Sequence, residues 1–489
     1  MSPITAMTQN LAAAPALALS LLASACAVGP NYQRPQVALT KAYVTPAPAP
    51  ATQSVAIETW WDGFGDPMLT KVVQRALAQN LDLAQARSRI LQSRAVARAA
   101  GAALLPQAGA SGSAASVDQS MLSPIGEIGN HLPGFERHYD DYAVGASASW
   151  EIDLFGGLRR EREAALAGAK ASEATAQAVR ISVAADAADA YLQVRAYQAR
   201  LEVARRQLRT QEDLVALVDQ RAHEGVAPDR DLNTAKAALD GVRAAIPPLQ
   251  AGLEAEENRL DVLMGAQPGT YRAELEAPAA LPATPTLSIA DGPADLLRRR
   301  PDVLAAEQRL VAANAQIGAA VSDYYPKVSI SGLLGFESLD GARLFTDLGE
   351  ENQLAGGLRW RLFDFGRVDA EVAEAKGAKA EALAAYRASI LKATEDVENA
   401  LSDLTQQQSR TVALTRQVGE LTLARNQAQS AYEGGAVSLI EVRDADRDLL
   451  AASDQLVRAR ADADRAAVAA YRALGGGWRT EGSVRVAAR

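Results

Sequence analysis

Between residues 142 and 153 the side chains alternate one by one. Tyr142, Val144, Ala146, Ala148, Trp150 and Ile152 fall on one side, and Ala143, Gly145, Ser147, Ser149, Glu151 and Asp153 on the other. A period of two predicts a β-strand with one apolar and one small or polar face. The same pattern returns as Leu354, Gly356, Leu358, Trp360 and Leu362 against Ala355, Gly357, Arg359, Arg361 and Phe363. About eleven residues is the length of a tilted strand crossing a bilayer, with Trp150 and Trp360 near the interface. Partner strands are expected over Gln107 to Val117 and Lys327 to Glu337, the second alternating through Val328, Ile330, Leu334 and Phe336. After each hairpin the period changes to seven: Val194, Leu201, Leu208, Val215 and Ala222 in one region, Leu383, Ile390, Val397 and Leu404 in the other. These rows predict helices with coiled-coil-like seams. Between Gly157 and Ala222 there is no proline and one glycine, Gly168, so the first helix is a rod of roughly 100 Å.

The pattern is stated twice. "WEIDLFGGLRRE" at Trp150 returns as "WRLFDFGRVDAE" at Trp360, and "HEGVAP" around Gly225 as "EGGAVS" around Gly435. Gly156 to Gly225 and Gly366 to Gly435 are both separations of 69 residues. "LLPQAGASGS" at Leu104 corresponds to "YYPKVSISGL" at Tyr324, and "LDVLMG" to "YRALGGGW". An internal duplication governs the whole fold: helix, strand, loop, strand, very long helix, tight glycine turn, long helix. The turns "HEGVAPD" and "YEGGAVS" are tips where a helical rod doubles back.

Four strands cannot close a barrel, and open edges cannot face lipid, so the chain is expected to oligomerise. Two chains would give eight strands with a filled interior; three give twelve and a lumen. The rest of the composition fits this picture. The 50 Lys+Arg against 59 Asp+Glu leave a net charge of −9, which argues against nucleic acid as a partner. Hydrophobic residues make up 48% and aromatics 5%, which points to closely packed long helices. No uncharged apolar segment after the N-terminal region reaches the roughly 20 residues of a membrane-spanning helix. The one cysteine, Cys26, follows "LALSLLASA", and a lone thiol behind an apolar run and small residues reads as a lipobox. Cleavage before Cys26 and its acylation would give an outer-membrane lipid anchor. The region before it carries no Lys or Arg, and Ala23 stands at position −3. His131, His138 and His223 have no metal-ligand spacing, and neither a nucleophile elbow nor a phosphate loop is present. Neither catalytic nor metal residues nor a cofactor is expected.

Five stretches in this order resemble the TolC-like outer-membrane factors, specifically the OprM-type lipoproteins of resistance-nodulation-division (RND) tripartite efflux pumps. They are "CAVGPNYQRP", "WWDGFGDPML" at Trp60, "WEIDLFG", "RRRPDVLAAEQRLVAANAQIGAAVSDYYPKVSISG" at Arg298, and "AYRALGGGW". The resemblance implies a mainly α chain with a membrane β-barrel: a homotrimer with a twelve-stranded barrel in the outer membrane of a Gram-negative bacterium and an α-helical tunnel in the periplasm. It implies an efflux duct for small molecules, working with a periplasmic adaptor and an inner-membrane RND transporter; a type I protein-secretion duct is the alternative. The corresponding division is a signal peptide over 1–25, a lipidated extended segment over 26–60, repeats over 61–270 and 271–480, and a tail over 481–489.

The resemblance also implies a gate. In "YEGGAVSLIEVRD" it puts Glu441 and Asp444 at the carboxylates that ring the pore axis, and in "GVAPDRD" it puts Asp231 at an acidic latch. Val437 stands where some relatives carry a basic latch residue. The adaptor is expected at the tips, on Gly225, Val226 and Ala227 in one copy and Gly435, Ala436 and Val437 in the other. The competing reading takes Asp444, Asp446, Arg447 and Asp448 as a solvated helix face.

Overall fold

The computed structural model describes residues 27–37, 42–45, 56–277, 280–287 and 299–478. The signal segment, Cys26 and the tail over 481–489 lie outside the described residues. In chain order the elements are α1 (Pro67–Gln79), α2 (Leu81–Ala102), β1 (Gln107–Asp118), α3 (Pro124–Gly129), β2 (His138–Ile152), α4 (Gly157–His223), α5 (Asp229–Leu263), α6 (Arg272–Leu275), α7 (Pro301–Ser322), β3 (Lys327–Ser338), β4 (Glu350–Arg359), α8 (Arg367–Glu433) and α9 (Leu439–Ala473). A 3-10 helix, Ile57–Phe64, precedes α1. The duplication is exact in length: α4 and α8 each have 67 residues, α5 and α9 each 35.

The chain forms two compact units. One, drawn from Met1–Pro35, Leu91–Ala171 and Glu307–Ala385, contains all four described strands. They form a single antiparallel sheet in the order β1-β2-β3-β4. The register collects the alternations seen in the sequence onto common faces. Trp150 stands opposite Ile330, Ala146 opposite Leu334 and Val144 opposite Phe336, while Val328 faces Leu358 and Gly332 faces Leu354. The other face carries Ser147, Ser149, Ser329, Ser331, Glu151 and Arg359 at the intervening positions. The apolar face is uncovered: Leu334, Leu354 and Leu358 are exposed.

Two of the strands, β1 and β3, begin where the sequence takes away a donor. Pro106 and Pro326 immediately precede β1 and β3, and a proline cannot join a hydrogen-bond ladder. Because β3 starts at Lys327, its partner β4 ends opposite it at Arg359. The second strand is therefore shorter than its alternation through Leu362 predicts. Just beyond its end, the Trp360 indole N–H donates to the Tyr324 carbonyl at 2.9 Å. Trp150 makes the equivalent bond to the Leu104 carbonyl at 3.0 Å. Each tryptophan thus ties its strand to the helix end before the preceding strand.

In the same unit an extended segment, residues 27–31, is clamped by side chains. The Val28 amide donates to the Phe155 carbonyl at 3.0 Å. Arg160, 5% exposed, donates to the Val28 carbonyl at 3.2 Å and to Asn31 Oδ1 at 2.7 Å. Asn314 Nδ2 reaches the Pro30 carbonyl at 2.8 Å.

The second unit, Gln36–Ile90, Ser172–Ala306 and Tyr386–Arg489, packs three of the sequence motifs together. Trp60 stacks on Tyr471 with centroids 5.4 Å apart and is fully buried. The Gly477 amide donates to the Ile57 carbonyl at 2.9 Å, and the Trp478 indole to the Arg299 carbonyl at 3.1 Å. Asp66 caps α1 through the Met68 and Leu69 amides and accepts from the buried Tyr191 hydroxyl at 2.6 Å. Along the seams, Ile390, Val397 and Leu404 are buried as their heptad predicts, while Leu383 of the same row is half-buried. In α4 Val194 and Leu201 are buried but Leu208 and Val215 only partly; below Leu201 the deeper row is Ala204, Gln211 and Val218.

Candidate functional site

Both rods reverse by one mechanism. After α4 the Gly225 amide donates to the Ala222 carbonyl and Val226 to Arg221; after α8 Gly435 donates to Tyr432 and Ala436 to Ala431. This is the Schellman arrangement, which satisfies the carbonyls left open by a helix C-terminus. It requires a left-handed residue, supplied by Gly225 at φ +72° and Gly435 at φ +75°. Gly225, Val226, Gly435 and Ala436 are exposed, and Ala227 and Val437 half-buried, so the two tips match position by position.

The tips share a small core. Leu214 and Val218 of α4, Tyr432 of α8, and Leu439 and Val442 of α9 are buried against one another, with Leu232 of α5 and Val437 packed on them. The Arg221 guanidinium lies over the Tyr432 ring at 4.5 Å. Four helix ends are thereby held as one body.

The expected acidic residues occupy different environments. Glu441 is exposed in the first turn of α9. Asp444 is one turn further on, its side chain 45% exposed, and pairs with Arg447 at 3.3 Å and more loosely with Arg443 at 4.0 Å. Asp231 sits in the first turn of α5 against its neighbour Arg230 at 3.4 Å. Among the described residues no hydrogen bond or ion pair joins Asp231 to either of the other two.

Asp446 departs from the solvated-face reading. It is 1% exposed and accepts from Arg425 Nε of α8 at 2.8 Å. Arg425 continues the seam of Leu414, Val418, Ala428 and Tyr432, and Asp446 continues that of Leu439 and Val442. An opposite-charge pair therefore occupies two seam positions. The signal was present in the sequence as spacing, since Asp446 lies seven residues after Leu439 and four after Val442. A run of charges concealed it.

Among the described residues no helix is long and apolar enough to cross a membrane, and no cluster of His, Cys, Asp or Glu fits a metal ion. His131 and His223 are exposed, and exposed His138, at the start of β2, stands 3.5 Å from Asp118 at the end of β1.

A family model described as "Outer membrane efflux protein" matches residues 72–266 and again 292–476. The pyoverdine export outer membrane protein OpmQ of Pseudomonas putida is 32% identical over 475 residues, covering 96% of this chain and 98% of its own. Among solved structures, the outer-membrane channel OprN superposes with a TM-score of 0.83 at 34% identity, covering 93% of this chain and all of that one. The open state of the Neisseria gonorrhoeae MtrE outer membrane channel gives 0.79 at 26% identity, over 93% and 99% of the two chains.

Proposed function

The chain belongs to the outer membrane efflux protein family, and from that premise we propose that it is the outer-membrane duct of a tripartite efflux pump. Three copies join edge to edge through β1 and β4, the outer strands of the sheet, and close a twelve-stranded barrel. The long helices continue it as a periplasmic tunnel for small molecules delivered by an inner-membrane RND transporter through an adaptor docked at the tips. OpmQ, OprN and MtrE are named for export or channel roles in the outer membrane, in keeping with this reading.

The observation that carries it is the sheet: one continuous apolar face left uncovered, a polar opposite face, and two unpaired edges. A solitary sheet of this kind exposes both leucines and ladder groups; a closed barrel in lipid satisfies both.

Cys26 is the lipid attachment point in this reading. The chain directly after it is pinned beside the end of β2, since a Cβ on Gly156 would stand 2.5 Å from Ala27 Cα and Val28 bonds Phe155. A membrane anchor at Cys26 would therefore sit close to the barrel's foot. Glu441 and Asp444 form the acidic ring of the resting gate, with Asp231 as the latch of the first repeat.

Cysteine pairs test the assembly. In a Cys26→Ser background, cysteines placed singly over positions 109–115 of β1, each combined with Ala355→Cys on β4, are oxidised in purified outer membranes. We predict crosslinked products that climb to a trimer and stop there, with channel activity in planar bilayers. Products ending at dimers, or no crosslinks at any register, would sink the barrel assignment.

A further inference from the structure

A groove of ≈ 530 Å³ lies in the second unit between the 3-10 helix, α2, α4 and the residues Gly477 and Trp478. That volume is in the range of small-molecule sites. Part of the lining is apolar: Leu83 and Ala176 are buried, Ile90 and Trp478 half-buried. Two guanidinium groups share the groove with them, Arg87 of α2 and Arg180 of α4.

Arg180 is held in place. Gly477, in the left-handed region at φ +99°, has its amide fixed on the Ile57 carbonyl at 2.9 Å and turns its own carbonyl onto Arg180 Nε at 3.0 Å. That bond uses one donor of the guanidinium fork. The others, on Nη1 and Nη2, meet no acceptor among the described residues, and neither nitrogen is sealed from solvent. Arg87 is exposed and makes no hydrogen bond or ion pair among the described residues. The carboxylate that lines the groove, Glu58, is half-buried and pairs with neither arginine. Two cations against one carboxylate leave the groove net positive. Burial, and after it the like charge of Arg87, hold the Arg180 guanidinium below its ordinary range.

We propose that this groove binds a small aromatic carboxylate, with its carboxylate on the open donors of Arg180 and on Arg87 and its ring against Trp478, Ile90 and Leu83. A carboxylate matches the guanidinium fork donor by donor, and such charge-assisted bonds are about twice as strong as neutral ones. The flat ring gains contact area on the indole and the aliphatic side chains. Inorganic phosphate would meet the cations and leave the apolar lining bare. The duct reading requires only a passive lumen, so this site goes beyond it and does not depend on it.

The same geometry separates an anion from its neutral counterpart. An amide of the same shape keeps the ring contacts and loses the charge-assisted bonds. The chain also carries a carboxylate of its own nearby in sequence, Glu481, three residues after Trp478. A test must therefore distinguish an external ligand from the tail.

The probe is 2-naphthoate and its uncharged counterpart is 2-naphthamide, both measured by equilibrium dialysis against the purified full-length protein in a non-ionic detergent at neutral pH. The expected result is saturable naphthoate binding, about tenfold tighter than that of naphthamide. Arg87→Gln should weaken naphthoate about fivefold and leave naphthamide unchanged. Arg180→Gln should do the same, while Gln177→Trp, which fills the groove, should displace both. Because Arg87 is exposed and bonds to nothing described, its variant keeps the test decisive if Arg180→Gln fails to assemble. Naphthoate binding that is absent, no tighter than that of naphthamide, or unchanged by Arg87→Gln overturns the proposal. So does binding that appears only in Glu481→Gln, which would assign the arginine pair to the chain's own tail.

Discussion

Asp444 and Asp446 lie two residues apart on α9, with Asp446 held under the seam by Arg425 and Asp444 on the wet side among Arg443 and Arg447. Their substitutions should separate cleanly. Removing one partner of a buried pair costs about 3 kcal/mol or more, whereas an exposed ion pair is worth well under 1 kcal/mol. We predict that Asp446→Ala loosens the tips, seen as faster proteolysis at the Gly225 and Gly435 turns, and that Arg425→Leu combined with Asp446→Leu restores resistance. Asp444→Ala should leave proteolysis unchanged and instead lower cation selectivity and block by trivalent cations in planar bilayers. In a closed trimer three such carboxylates would approach one another, and two like charges 4 Å apart repel by about 4 kcal/mol at an effective dielectric of 20. Selectivity that responds to Asp446 and not to Asp444 would mean that the gate register taken from the family resemblance is displaced.

The elements were more legible than their packing. The heptad in α8 marked Ile390, Val397 and Leu404, all large, apolar and buried, while Leu383 at the head of the same row is only half-buried. In α4 the rows were harder to rank, since the deeper one contains Ala204 and Gln211, which no hydrophobicity pattern selects. The strand faces were legible because alternation survives every register that keeps parity. The two indole bonds were not, because an aromatic at a strand end looks the same whether it meets lipid or a carbonyl. At the tips the glycines were visible but their purpose was ambiguous, and the left-handed φ of Gly225 and Gly435 now supplies a structural role. Two substitutions divide that role from docking. Gly225→Ala should cost about 1 kcal/mol of local stability through the left-handed backbone alone and preserve adaptor crosslinking. Gly225→Trp with Gly435→Trp should abolish crosslinking and drug resistance while trimers still form. Adaptor crosslinking that survives the double Trp change would remove the tips from the interface.

At the scale of the whole molecule, what keeps the protein in the outer membrane is proposed to be the barrel, with the lipid as an addition. The diacyl group expected at Cys26 adds attachment to what the inserted strands already provide, and insertion does not depend on it. Fatty-acid labelling is accordingly expected in the wild type and not in Cys26→Ser, with conductance the same in both; equal labelling would exclude the lipobox. The matched helix lengths, 67 with 67 and 35 with 35, impose a rule on how such a chain can evolve. Each residue added to a helix advances its end by 1.5 Å and turns it by about 100°, so one extra residue in α4 alone would slide Leu214 and Val218 out of step with Tyr432 and rotate them off the shared tip core. A whole heptad would restore the phase but leave that end displaced by about 10 Å. Length changes in these rods are therefore admissible only as paired events, entered in both copies and on both the outgoing and returning helix, which makes the duplicated gene its own ruler.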